Sequence, residues 1–227
     1  MSELYDDLRC CPLYDGIDRQ EYELLIEKSR RVRVRAGECI FDIGDPAEEI
    51  YLITEGCVSF QYHALSGKRV TLGLADPYMV IGDMELLDPT PRKSRAFVIQ
   101  NCSLIVTDKH AFLALCRRCP VIYERLLKIY SRRLQYAART MLLKNDEQLL
   151  CSILLNLAKR FGCDDGKGIE IQLPLSQEEL ASYLGTPRQR LNRMLGEFKR
   201  QGWIDVSYSK ITLLNVEAME LLLEVDE

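Results

Sequence analysis

From Val32 to Thr107 the apolar positions are rich in β-branched and aromatic residues and fall in short runs. Turn signals close them: Ala36-Gly37-Glu38, Ile43-Gly44-Asp45-Pro46, Glu55-Gly56, Ser66-Gly67-Lys68, Asp76-Pro77 and Asp88-Pro89. Such runs predict an all-β sandwich or barrel. Val58–Tyr62 and Arg69–Leu74 read as the two strands of a hairpin. After Pro120 the period changes. No glycine or proline interrupts Val121–Lys144, and Tyr123, Leu127, Tyr130, Leu134, Ala137 and Met141 recur alternately four and three residues apart. That spacing is the seam of a long helix that pairs with a copy of itself. Packing of the same stripe on the chain's own β domain is the alternative.

A third pattern occupies residues 174–204. Ser176 and Glu179 have the spacing of a capping box, and Leu180, Ala181 and Leu184 give the helix that follows an apolar face. Gly185 stops it. Thr186 is then expected to cap a second helix with Pro187 at its first position, where a missing N–H costs nothing. Leu191, Met194, Leu195 and Phe198 form the buried face of that helix, leaving Arg188, Gln189, Asn192 and Arg193 on the other side near its N-terminus. This is a helix-turn-helix, and those four side chains can hydrogen-bond base edges in the major groove of double-stranded DNA. Trp203–Val206 and Lys210–Leu213 read as the two strands of a wing.

Composition changes the picture little. With 227 residues, 47% hydrophobic and 28% charged, the chain can bury one large core or two modest ones, as a soluble globular protein does. No run approaches a membrane span, and the acidic N-terminus carries no export signal, so the expected address is the cytoplasm. Nine scattered cysteines fit reduced thiols better than a disulfide framework. The net charge of −4 argues against nucleic acid as a partner of the whole surface. Locally, however, Arg188, Arg190, Arg193, Lys199 and Arg200 face a single Glu197, a basic patch of the kind sequence-specific regulators carry.

The remaining chemistry is sparse. There is no nucleophile–base pair and no phosphate-cradling glycine loop, and two histidines, His63 and His110, are too few for acid–base work, so no enzyme is expected. Cys116-Arg117-Arg118-Cys119 is a C-x-x-C whose arginines should lower a thiol pKa, which opens a redox or metal role for Cys116 and Cys119. The tandem Cys10-Cys11 pair is poorly arranged for one metal.

The order of these parts resembles the Crp/Fnr family of bacterial transcription regulators over nearly the whole chain. The resemblance rests on Val34–Phe41, Ile50–Val58, Ile81-Gly82-Asp83, Arg132–Gln135, Leu154–Ala158 and the helix-turn-helix. It implies an α+β fold: an N-terminal cyclic-nucleotide-binding-type β-roll (a double-stranded β-helix or jelly roll) over 1–120, a dimerisation helix and hinge over 121–146, and a C-terminal winged helix-turn-helix over 147–227. It also implies a homodimer on an inverted-repeat operator, with RNA polymerase as a further partner. The hinge, Leu142–Gln148, is where a signal would act.

The effector pocket of the resembled family uses Gly-Glu-x-Gly and then Arg-Ser to hold a cyclic phosphate. Here the stretch reads Gly82-Asp83-Met84-Glu85, closer to the YeiL-type variants, and the later pair is reversed to Ser94-Arg95. The reversal should turn the guanidinium to the other face of its strand. The hydroxyl pair expected on adenine is Ala137-Ala138. Gly82, Asp83, Glu85, Ser94 and Arg95 are thus the pocket candidates, and cyclic AMP is disfavoured. The fold needs no cofactor. An iron–sulfur cluster or a cyclic nucleotide in an altered pocket stays open as an alternative to an unidentified signal. In the DNA-reading helix the resemblance assigns base contacts to Arg188, Gln189 and Arg193, and Gln189 in place of glutamate should relax a cytosine preference toward adenine. Ser176 and Gln177 would hold phosphates.

Overall fold

The computed structural model describes residues 2–63, 69–88, 90–143, 145–164, 166–207 and 210–224. Two short helices, α1 (Ser2–Cys10) and α2 (Arg19–Glu27), open the chain. Neither is among the elements expected above. A six-stranded sheet follows, made of β1 (Ser29–Val34), β2 (Cys39–Phe41), β3 (Glu49–His63), β4 (Arg69–Ala75), β5 (Val80–Ile81) and β6 (Arg95–Asp108), with the single-turn helix α3 (Met84–Leu87) between β5 and β6. Its order is β1-β6-β3-β4, with β2 also on β6 and β5 also on β3. The central pair β3 and β6 runs antiparallel from Glu49 opposite Asp108 to Gln61 opposite Arg95, with register shifts between Ile53 and Val58. The predicted hairpin strands are therefore neighbours, and the Ser66-Gly67-Lys68 turn lies outside the described residues.

Side-chain alternation explains why this sheet has two cores. Tyr51, Ile53, Leu104 and Val106 point to one face and pack with Phe41, Val58, Ile81, Ala96 and Val98. The intervening Ile50, Leu52 and Ile105 point to the other face and meet a helical layer. That layer is α1, α2, α4 (Lys109–Arg118) and the start of α5 (Val121–Met141), which contribute Leu8, Tyr22, Leu25, Phe112, Leu115, Ile122 and Leu126. Asp108 caps α4 by accepting from the His110 and Ala111 amides at 2.8 and 3.1 Å.

The chain divides into two compact units, with the main boundary within α5 between Arg132 and Arg133 and with Arg69–Thr71 of β4 grouped with the C-terminal unit. The C-terminal unit holds α6 (Asp146–Phe161), β7 (Gly162–Asp164), β8 (Ile169–Ile171), α7 (Gln177–Leu184), α8 (Arg188–Arg200), β9 (Ile204–Ser207), β10 (Lys210–Leu213) and α9 (Val216–Glu224). The wing pair β9–β10 is extended by two strands the pattern had not suggested, in the order β7-β8-β10-β9. Asn145 caps α6 through its Oδ1, which accepts from the Gln148 amide at 2.9 Å. The break between α5 and α6 is short, residues 142–145, of which Lys144 is outside the described residues. Among the described residues no helix is long and apolar enough to cross a membrane.

Candidate functional site

The helix-turn-helix is built from local rules. The Ser176 Oγ accepts from the Glu179 amide at 3.1 Å, and the Glu179 carboxylate accepts from the Ser176 amide at 2.7 Å, so the start of α7 is capped in both directions. Gly185 ends α7 in the left-handed region (φ 71°), where its lack of a Cβ avoids strain, and returns its amide to the last turn. The entry to α8 differs from expectation. Pro187 is the N-cap itself, with no side-chain cap bond, and Thr186 turns its hydroxyl toward Asp146 Oδ2 at 3.5 Å instead of capping. The carbonyl of Pro187 accepts from the Arg190 amide at 2.9 Å, so proline lies one position earlier than at N1.

Buried Leu191, Met194, Leu195 and Phe198 anchor α8, and the Phe198 ring lies 5.2 Å from Trp203. Its opposite face carries Arg188, Gln189, Asn192 and Arg193, all exposed. The five cations of the helix are not equally available. Arg188 Nε donates to Gln177 Oε1 at 3.1 Å, linking two predicted DNA-contact residues across the turn. Arg190 pairs with Asp146 at 2.8 Å, Lys199 with Asp205 at 2.8 Å, and Arg200 with Glu197. Among the described residues, Arg193 has no such partner. It is an exposed guanidinium on the polar edge, next to Gln189 and Asn192.

The second candidate region is the loop from Gly82 to Arg95. Its centre is Arg92, which sequence reading had missed. Arg92 is 2% exposed, and its Nη1 donates to the Gly82 carbonyl at 2.8 Å and reaches Glu85 Oε2 at 3.4 Å. Its Nη2 donates to the Glu49 carbonyl, and the guanidinium lies 4.4 Å from the Phe41 ring centre. Gly82 is required here: its φ is 77°, and a Cβ would meet Arg92 Nη1 at 2.8 Å. Glu85 is buried and also accepts from the Lys93 amide at 3.2 Å. Buried Asp83 accepts from the Tyr130 hydroxyl at 2.7 Å, which ties the loop to α5. Ser94 is half-buried. Arg95 lies on the face away from Ala96 and Val98 and is 3.7 Å from Asp42.

Comparison with known proteins places both regions. Residues 31–119 match the cyclic nucleotide-binding domain, and residues 148–222 match the Crp-like helix-turn-helix domain. A global nitrogen regulator of Synechococcus elongatus is 30% identical over 192 residues, covering 81% of this chain and 85% of that protein. The chain belongs to the Crp/Fnr family. A CRP-like cAMP-activated global transcriptional regulator of Mycobacterium tuberculosis is 26% identical over 210 residues, 91% of this chain and 94% of the relative. The solved structure of FixK2 from Bradyrhizobium japonicum superposes with a TM-score of 0.76 at 21% identity, over 88% of this chain and 99% of that one. Like its Crp/Fnr relatives, the protein is a DNA-binding transcription regulator with an α+β fold.

Within that family's fold, the loop residues do not suit a cyclic phosphate. Such a ligand needs backbone N–H groups and an unengaged guanidinium. Arg92 is spent on Glu85 and two carbonyls, the Glu85 carboxylate would repel the phosphate, and Arg95 is on the far face of β6. The cysteine expectation is also corrected. Cys116 is fully buried and its thiol is pushed up to about 12 by that burial, while Cys119 is raised by burial and by Glu21. Arg117 does lower the Cys116 pKa and Arg118 that of Cys119, as the sequence implied, but burial outweighs both, and Arg118 shares its guanidinium with Glu21 at 2.8 Å. No group of three or more metal-ligating side chains gathers among the described residues. Ellman's reagent at pH 8 should modify exposed Cys10 and Cys163 first, with Cys11, Cys102, Cys116 and Cys151 reacting only on unfolding. Rapid native-state modification of Cys116 would restore the redox reading.

The predicted dimer seam is mixed. Leu127, Leu134 and Met141 are 67%, 72% and 84% exposed, Tyr123 is exposed, and Ala137 is half-buried. Tyr130 instead leans on its own unit and spends its hydroxyl on Asp83. Ile122 and Leu126, one position earlier than Tyr123 and Leu127, carry the intrachain packing of α5. His110, at the start of α4, is a surface residue.

Proposed function

We propose that this regulator binds an inverted-repeat operator as a homodimer, under control of a signal other than a cyclic nucleotide. The observation that carries the reading is the exposed edge of α8, where Gln189, Asn192 and Arg193 stand clear of the protein at the helix end that enters a major groove. Arg188 and Arg193 suit guanine, Gln189 and Asn192 suit adenine, and Ser176 and Gln177 at the start of α7 suit phosphates. The stripe of Tyr123, Leu127, Leu134, Ala137 and Met141 supports pairing of α5 with a second copy, since exposed leucines at this spacing gain by burial against each other.

The division of labour in this reading is a sensory β-roll over 1–120, dimerisation helix and hinge over 121–146, and a DNA-binding domain over 147–227. The protein works in the cytoplasm without enzymatic activity, with RNA polymerase as a partner on the promoter. The Glu85–Arg92 pair favours a signal that does not need the phosphate site.

Selection from random duplex DNA tests the proposal. The expected product is an inverted repeat with half-sites about one helical turn, ~34 Å, apart, unchanged by millimolar cyclic AMP or cyclic GMP. Selection of a single unrepeated site would overturn the dimer reading, and an affinity that rises with either nucleotide would overturn the signal reading.

A further inference from the structure

We infer that Asp146 is a brake on DNA affinity, acting by occupying Arg190, a further phosphate-binding cation of the DNA-reading helix. This rests on the reading of α8 as the DNA-contacting helix. Arg190 lies in the first turn of α8, between Gln189 and the buried Leu191. At about 100° per residue it stands roughly 60° around the helix from Arg193 and one turn nearer the N-terminus. A side chain on that flank borders the groove wall, which is lined by phosphates, while its neighbours on the leading edge face the bases.

In this structure the guanidinium is engaged elsewhere. Its Nε is 2.8 Å from Asp146 Oδ2, with about half of the Arg190 side chain and a third of the Asp146 side chain exposed. Asp146 is the first residue of α6 and is also approached by Thr186 Oγ1 at 3.5 Å, so it touches both the turn and α8. Capping of α6 does not depend on it, because Asn145 does that work. An exposed ion pair is weak and salt-screened, so a phosphate can compete for the arginine. The carboxylate makes that competition costly in two ways: it must give up its partner, and it is then left close to the phosphate backbone.

The test compares wild type, D146N, E147Q and the double variant D146N/R190Q on the selected operator and on unrelated duplex DNA from 50 to 300 mM salt. D146N should bind both DNAs several-fold more tightly. Its salt dependence should steepen by about 0.9 per half-site, the increment for one added phosphate contact. E147Q, one residue along and exposed, should give much less, and R190Q should remove the D146N gain. D146S keeps a residue suited to a helix start and replaces D146N if the latter melts early. A D146N protein that binds like wild type overturns the brake. So does a gain that E147Q reproduces or that persists without Arg190, since either is a general charge effect. A wild-type protein that selects no DNA overturns the underlying reading itself.

Discussion

Replacing Arg92 by Met should destabilise the N-terminal unit by about 3–5 kcal/mol, the usual cost of breaking a buried ion pair from one side. The side chain is buried against Phe41 and Gly82, and its removal takes the cation from the Glu85 carboxylate, which keeps the Lys93 amide, and a donor from the carbonyls of Gly82 and Glu49. Met fills much of the volume, so the loss is mainly electrostatic and hydrogen-bonding. The double variant E85L/R92M should recover a large part of it, because replacing both partners by apolar groups removes the uncompensated charge. The two units can be followed separately in urea. The single tryptophan, Trp203, reports the C-terminal unit, while hydrogen exchange of the β3 and β6 amides reports the sheet. The expected result is an early loss of β3–β6 protection with an unchanged Trp203 transition. A shift below 1 kcal/mol at the sheet would mean that the pair carries little.

Arg193→Ala should cost about 1–3 kcal/mol per half-site on the operator and flatten discrimination at the base pair it faces. Both half-sites of a dimer are affected, so the operator loss should approach twice that figure. Binding to unrelated DNA should weaken far less, because that term comes from phosphates and Arg193 lies at the base-facing edge. Titrating operators carrying each of the four base pairs at the facing position checks this. Retention of the original preference would remove Arg193 from the reading face. The same titration with Arg188→Ala has a different physical starting point: its Nε already holds Gln177, so part of its effect would come through the start of α7.

The helix-turn-helix could be read from the chain because every device that shapes it is local. The capping box spans four residues, Gly185 stops α7 by its own φ, and the buried face of α8 repeats within three turns. Even there, one detail went the other way. Whether Thr186 caps α8 depends on a competing partner, and Asp146 is 40 residues away. The two strands of the hairpin and of the wing were legible from alternation. The helices α1 and α2 were not read, although Leu4 and Leu8, and Tyr22, Leu25 and Ile26, have helical spacing; at nine residues each they are too short for the period to decide alone, and packing on the sheet holds them.

The chemistry of the N-terminal unit shows the limit more sharply. Arg92, between Pro91 and Lys93, reads as a surface cation, and only the closure of the loop on Glu85, Gly82 and Phe41 buries it. Cys116 beside two arginines reads as a reactive thiol, yet burial raises its pKa and outweighs the lowering by Arg117, while Arg118 turns to Glu21, 97 residues distant. Tyr130 has the spacing of a seam residue and the partner of a core residue. The sequence by itself determined the order of parts, the helix-turn-helix and the long uninterrupted helix α5, because short-range periodicity and capping encode them. The tertiary structure alone decided which charges are free and which are spent, because burial and ion pairing depend on contacts between residues far apart in the chain.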